Sequence, residues 1–386
     1  MKKLFFIAAI AGAALVSCTK NELAPSATEQ HEITFASPVT STLTKAALVT
    51  GEVFPKTIPF FVYADYHTKD FDKATAADFT PYMNAGGQGV MVEFSKATED
   101  KDDVLDYYWT TNKKYYWPMD GKLSFYAYSF GKSGYNTTFN ADYSYSQVNG
   151  LYIPGYTVKN DLTNQIDLML SKRATDQTKA SMVEGETFTP NGVYDGVQIQ
   201  FNHALSAIKF AANTDKNYTT DGYTISIKKL TVKNAYTTAD LTQFARLTED
   251  YDASTIWNEY KTEANYVAFA PETAWKVPYA TTATAVSSED ADLILLPQAL
   301  DHGTNDVVVE IVYTVQHDDM GKGKSIEYTK NFPLTVSTDD DDNKWLAGKR
   351  YIYTIIFGME EIKFAPVIVA DWGNVNIEIE VPKDEI

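Results

Sequence analysis

The feature that most restricts what this chain can fold into is a succession of short apolar-rich runs with almost no helix between them. Thr57–Tyr66, Lys122–Phe130, Val197–Ala212, Thr224–Ala235, Asp292–Leu300, Asp306–Gln316, Lys349–Phe357 and Val375–Val381 are all rich in β-branched and aromatic residues. Turn pairs such as Asp120-Gly121, Asn149-Gly150, Asn191-Gly192 and Asp221-Gly222 separate many of them. Helical spacing is confined to two short stretches, Thr238–Leu247 and Val104–Tyr108. Strand after strand without intervening helices implies an all-β chain of antiparallel β-sandwiches. A Gly- and turn-rich passage, Val183–Gly196, divides it into two halves, each long enough for one sandwich.

The N-terminus fixes the compartment. Met1-Lys2-Lys3 is basic, and Leu4–Val16 is apolar or small throughout, too short to span a bilayer. This is the pattern of a signal peptide. It ends in Leu15-Val16-Ser17-Cys18, which resembles the bacterial lipobox, in which the cysteine is lipidated and becomes the new N-terminus. Cys18 is the only cysteine in the chain, so disulfides within the monomer are excluded. Acyl chains on Cys18 would anchor the protein to a membrane without a spanning helix. The polar stretch Thr19–His31 then reads as a tether. The expected organisation is a signal peptide over 1–17, a tether over 18–31, an N-terminal strand over 32–45, a first sandwich over 46–190 and a second over 191–386.

Loss of the signal peptide removes Lys2 and Lys3, making the mature chain more acidic than the −18 of the full sequence. That charge repels nucleic acid and anionic lipid, so neither is expected as a partner. Aromatic residues at 13%, including 26 tyrosines, exceed what a disordered acidic chain carries.

The stretch Glu32–Ala46 alternates Ile33, Phe35, Ser37, Val39, Ser41 and Leu43 with mostly threonine, then meets Lys45. Period two makes it a strand with one apolar face, and Thr44-Lys45-Ala46 offers a trypsin-like protease a cut between Lys45 and Ala46. Burial of Ile33, Phe35, Val39 and Leu43 at about 1.5–3 kcal/mol each would contribute on the order of 6–12 kcal/mol, as much as a whole domain's stability. At the other end Val375, Ile377, Ile379 and Val381 alternate with Asn376, Glu378 and Glu380. At about 3.3 Å per residue that run spans roughly 23 Å. Either end is a strand of its own domain or a strand exchanged between molecules.

Residues arranged for catalysis are not evident. The five histidines, His31, His67, His203, His302 and His317, stand singly, without zinc-ligand spacing. Gly321–Ser325 mimics the end of a phosphate loop, but Asp318 occupies the position of its first glycine. It reads instead as the tip of a hairpin. Asp339–Asp342 lacks the spaced ligands of a calcium loop. No Gly-x-Ser-x-Gly elbow occurs. The chain is therefore not read as an enzyme, and no cofactor is expected. The cluster Tyr107, Tyr108, Trp109, Tyr115, Tyr116 and Trp117 is either a sugar-stacking platform or buried sandwich aromatics.

The lipobox, the ITF…TKA opening, YYWPMDGKLSFYAYS, IQFNHALSAIKF, LLPQAL, WLAGKRYIYTIIF and the terminal VIVADWG, in that order, resemble the fimbrillins of Bacteroidales, the type V pilins. The resemblance implies two tandem transthyretin-like sandwiches and export as a lipoprotein anchored in the outer membrane. It also implies removal of the N-terminal strand at the cell surface and assembly with other fimbrial subunits by strand exchange. Stalk subunits, membrane anchors and tip adhesins all occur in the family. Its stalk subunits are typically cut after arginine, whereas here the first arginine is Arg173 and Lys45 occupies the usual place.

Overall fold

The computed structural model describes residues 31–40, 54–84, 87–96, 107–131, 143–146, 150–181, 196–242, 256–286, 292–303, 305–321, 324–336 and 343–372. Among them the chain is all-β, and its helical turns are short 3₁₀ pieces such as Tyr218–Asp221. Both stretches with helical spacing contribute strands instead. Tyr107–Thr111 pairs along its length with Val92–Lys96. Thr238–Thr242 is clamped by strands on both edges.

The strands form three sheets. The first contains β1 (Val39–Thr40), β2 (Phe60–His67), β3 (Thr80–Met83), β4 (Val90–Lys96), β5 (Tyr107–Thr111), β6 (Lys122–Ser129), β9 (Met169–Ser171), β10 (Ala174–Gln177) and β11 (Gln200–His203). Its main path runs β1-β11-β9-β6-β2-β4-β5. The second is centred on β12 (Ser206–Thr214) and β20 (Lys349–Phe357), which run parallel from Ala207–Arg350 to Thr214–Phe357. β16 (Thr284–Ala285) and β17 (Leu293–Leu295) flank β12, and β21 (Ile362–Phe364) and β22 (Ile368–Asp371) flank β20. The third is built on β13 (Tyr223–Thr242), with β7 (Ser144–Ser146), β8 (Gly150–Thr157), β14 (Trp257–Phe269), β15 (Trp275–Lys276), β18 (Val308–His317) and β19 (Ile326–Pro333). The expected hairpin is present as antiparallel β18–β19, from Val308–Pro333 to Val315–Ile326.

Two pairings cross the position at which the sequence suggests a division. β7 and β8 precede it but join β13 in the third sheet. β11 follows it but completes the first sheet. The run Val197–Ala212 is accordingly two strands, because Ala204-Leu205 carries the chain from the first sheet to the second.

Period-two burial decides the cores. On β20, Tyr351, Tyr353, Ile355 and Phe357 face Ile225, Ile227, Leu230, Val309 and Ile311 of the third sheet, so the second and third sheets sandwich one apolar layer. On β2, Phe61 and Tyr63 extend that layer, whereas Phe60, Val62 and Ala64 point into a separate core enclosed by the first sheet. Tyr145 of β7 ties the bodies together by stacking on Tyr63 at 4.0 Å and on Tyr126 at 5.7 Å. Burial holds the Tyr63 and Tyr145 phenols above the ordinary tyrosine range.

Candidate functional site

The N-terminal segment closes the first sheet on itself. β5 ends the sheet on one side and β11 lies near the other. The residues from His31 to Thr40 run between them. Toward β5 and the loop after it, Ile33 donates to the Tyr115 carbonyl at 2.8 Å and Phe35 to that of Trp109 at 3.0 Å. Trp117 in turn donates to the His31 carbonyl at 2.9 Å. On the opposite edge, Ala36 donates to Val197 at 3.1 Å, Val197 to Thr34 at 2.9 Å and Val39 to Ile199 at 3.0 Å. The segment is thus antiparallel to one neighbour and parallel to the other.

Of the four predicted apolar anchors, Ile33 and Phe35 are buried completely. Phe35 meets Phe60 and Phe125 edge-on at 5.6 and 5.9 Å. Val39 is half-buried, and Leu43 lies outside the described residues. Strict alternation ends after Phe35, because Ala36, Ser37 and Pro38 are buried as well and the Pro38 carbonyl accepts from Phe54 at 3.2 Å. Burial of Ile33 and Phe35 alone contributes roughly 3–6 kcal/mol, half the amount expected for four anchors.

The close approach on the parallel side requires glycine. A Cβ on Gly196, whose φ is +152°, would sit 2.5 Å from backbone atoms of Thr34 and Phe35. In the sequence Gly196 reads only as a turn residue. Val197, Ile199 and Phe201, which line the same core, were part of a recognised strand, but nothing in their order discloses a parallel neighbour far away in sequence.

The aromatic cluster is the antiparallel wall of this slot. Trp109 is fully buried and Trp117 is 9% exposed, so neither presents a face for sugar stacking; this corrects the platform reading for both. Their indole N–H groups have no acceptor among the described residues. Tyr115 and Tyr116 are half-buried. The Tyr116 carbonyl accepts from the Tyr82 hydroxyl at 2.5 Å, and burial raises the Tyr82 phenol's pKa. Tyr107 and Tyr108 lie on β5 opposite Lys96 and Ser95. Glu32 is fixed beside the cluster by Lys114 at 2.8 Å and by the Thr110 hydroxyl at 3.1 Å. Cys18, Lys45, Ala46, Val375, Ile377, Ile379 and Val381 lie outside the described residues.

Elsewhere, His203 binds Asp167 at 2.8 Å and stacks on Trp372 at 4.5 Å. His67 Nε2 lies 2.8 Å from the Ser124 hydroxyl, the spacing of a nucleophile and its base, but both residues are sealed at 0% exposure and no substrate reaches them. Among the described residues no group of three acidic, histidine or cysteine side chains could hold a metal. No helix among them is long and apolar enough to cross a membrane.

A closed β-unit sealed by its own N-terminal segment, packed on a second β-sandwich, defines the class of fold. Over 89% of this chain and all of the other, the structure resembles a fimbrial protein from Bacteroides vulgatus, with a TM-score of 0.53 at 17% identity. A fimbrial assembly protein from Parabacteroides distasonis (12% identity, TM-score 0.36, 88% of this chain and 98% of that one) is more distant. So is a fimbrilin from Porphyromonas gingivalis, at 10% identity and a TM-score of 0.37 over 89% of this chain and 98% of that one. No curated protein sequence matches. The fimbrillin-like family model matches residues 60–372, and the chain belongs to that family.

Proposed function

We propose that this chain is a structural subunit of a cell-surface fimbria, exported as a lipoprotein on Cys18 and assembled by strand exchange. In this reading a trypsin-like extracytoplasmic protease cuts between Lys45 and Ala46. The segment carrying Ile33 and Phe35 leaves, and a strand of a neighbouring subunit takes its place. The observation that carries the proposal is the double-edged position of that segment, with β5 on one side and Val197–Phe201 on the other. Its removal opens a slot with two unpaired backbone edges and an apolar floor, which an incoming strand satisfies by β-addition. Val375–Val381 of a neighbour is the proposed donor, because its alternation matches such a floor.

Lysine at the cleavage position favours a second reading, in which the segment and the lipid are retained and the chain is a membrane anchor of the fimbria. N-terminal sequencing of protein taken from the cell surface separates them. Assembly predicts Ala46 as the first residue, and the anchor reading predicts a blocked, acylated Cys18. Cys18→Ala should abolish fatty-acid labelling and release the precursor from the membrane. Continued labelling would refute the lipid anchor.

A further inference from the structure

A polar recess lies far in sequence from the slot, where the chain after β15 leaves the third sheet for the second. Its volume is about 270 Å³. Val277 and Thr214 fix its floor, since Val277 donates to the Ile225 carbonyl at 2.9 Å and Thr214 to that of Pro278 at 3.0 Å. The Tyr218 ring is 5% exposed and its hydroxyl accepts from Met359 N at 3.0 Å, which makes the base rigid. At the rim, Tyr279 is 58% exposed, far more than a ring of its size needs to be. Tyr223 also lines the recess, braced by the His317 ring at 4.3 Å.

The lining groups are chemically specific. Among the described residues the hydroxyls of Thr224, Tyr223 and Tyr279 and the ammonium of Lys276 have no hydrogen-bond or ion-pair partner in the protein. They offer donors and acceptors around one aromatic face. The volume falls just below the roughly 300 Å³ at which pockets for drug-sized molecules begin, so one ring fits and an oligomer does not enter. Lys216 is engaged with Asp221 at 3.8 Å and lies over Tyr218. With a net charge of −18, the molecule disfavours phosphates and other anions. A neutral, polyhydroxylated ring with one apolar face meets all these conditions.

We propose that this recess binds a single neutral pyranose unit, stacked on Tyr279 and hydrogen-bonded by Thr224 and Lys276. The site is independent of strand exchange and is present in the monomer. The test is saturation-transfer NMR on the mature chain with N-acetylglucosamine, methyl galactoside and, as the anionic comparison, glucuronate. Binding of a neutral sugar, reduced at least tenfold in Tyr279→Ala and several-fold in Thr224→Val, is expected. Tyr279 is exposed and Thr224 half-buried, and unchanged melting temperatures verify that each variant folds. Absence of transfer to either neutral sugar overturns the proposal. So does binding that survives Tyr279→Ala, or binding of glucuronate alone, which would mark an anion site at Lys276 instead.

Discussion

At the scale of single residues, the slot depends on one side chain that fills it and one that must be missing. Phe35 lies amid Phe60, Phe125 and Trp109, so Phe35→Ala should lower the unfolding free energy by about 3–5 kcal/mol in urea titration. Gly196→Val places atoms where the Thr34–Phe35 backbone runs. It should displace the segment and accelerate hydrogen exchange at the Ile33 and Phe35 amides; unchanged exchange would show that the two chains can separate without cost. A charged site gives a pH prediction. Hydrogen bonds from Lys122 and then Lys73 lower the Asp70 carboxyl to about 2, below the ordinary ~3.9 of an unfolded chain. Depression in the folded state means that its contribution is complete above about pH 4 and disappears as pH falls toward about 2. Asp70→Asn should therefore lower the melting temperature near neutral pH, with the difference from wild type closing through that window. A constant difference down to the acid limit would refute the assignment.

At the scale of elements, the closing segment behaves as a detachable strand only if the rest of the first sheet survives without it. A chain beginning at Ala46 should stay folded, bind a hydrophobic dye at the exposed Phe60–Trp109 floor, and lose that dye when a peptide of residues 31–45 is added. Loss of all cooperative unfolding in the shortened chain would make the segment an ordinary core strand. Strand identity is legible where β-branched and aromatic residues run together: Lys349–Phe357 matches β20 to the residue, although Ile352 and Thr354 are buried as well as Tyr351, Tyr353, Ile355 and Phe357. Thr238–Leu247 misleads because Leu241, Phe244 and Ala245 have the i, i+3, i+4 spacing of a helical face. In the structure Ala239 and Leu241 alternate into the core while β14 and β8 bind the two edges, so pairing overrides local preference. The slot was half legible. The period of Ile33 and Phe35 announced an apolar strand, and the aromatic-rich 107–117 stretch announced a core or a platform. Which pieces flank the strand, and that Trp109 and Trp117 face inward, depends on pairings distant in sequence that no local pattern encodes.

At the scale of the whole molecule, the −18 charge makes copies repel one another. If subunits polymerise, raising salt from low to physiological concentration should speed the step, since screening shortens the reach of that repulsion to about 8 Å. Slowing instead would place attractive ion pairs at the junction. The C-terminal donor can be tested in the same assay. Ile377→Asp with Ile379→Asp would put carboxylates into an apolar slot at several kcal/mol each, blocking polymer growth while sparing the monomer's melting temperature. Normal growth would exclude that strand as the donor. If strand exchange drives assembly, loss of the closing segment makes the chain competent to polymerise. The most direct measurement is the size distribution of purified full-length protein before and after limited trypsin digestion, followed by sedimentation and unboiled gel electrophoresis, with cleavage at Lys45 verified by mass. A ladder of polymers should appear together with the cleaved species. A chain that is cut after Lys45, sheds residues up to Lys45 and remains monomeric would contradict it.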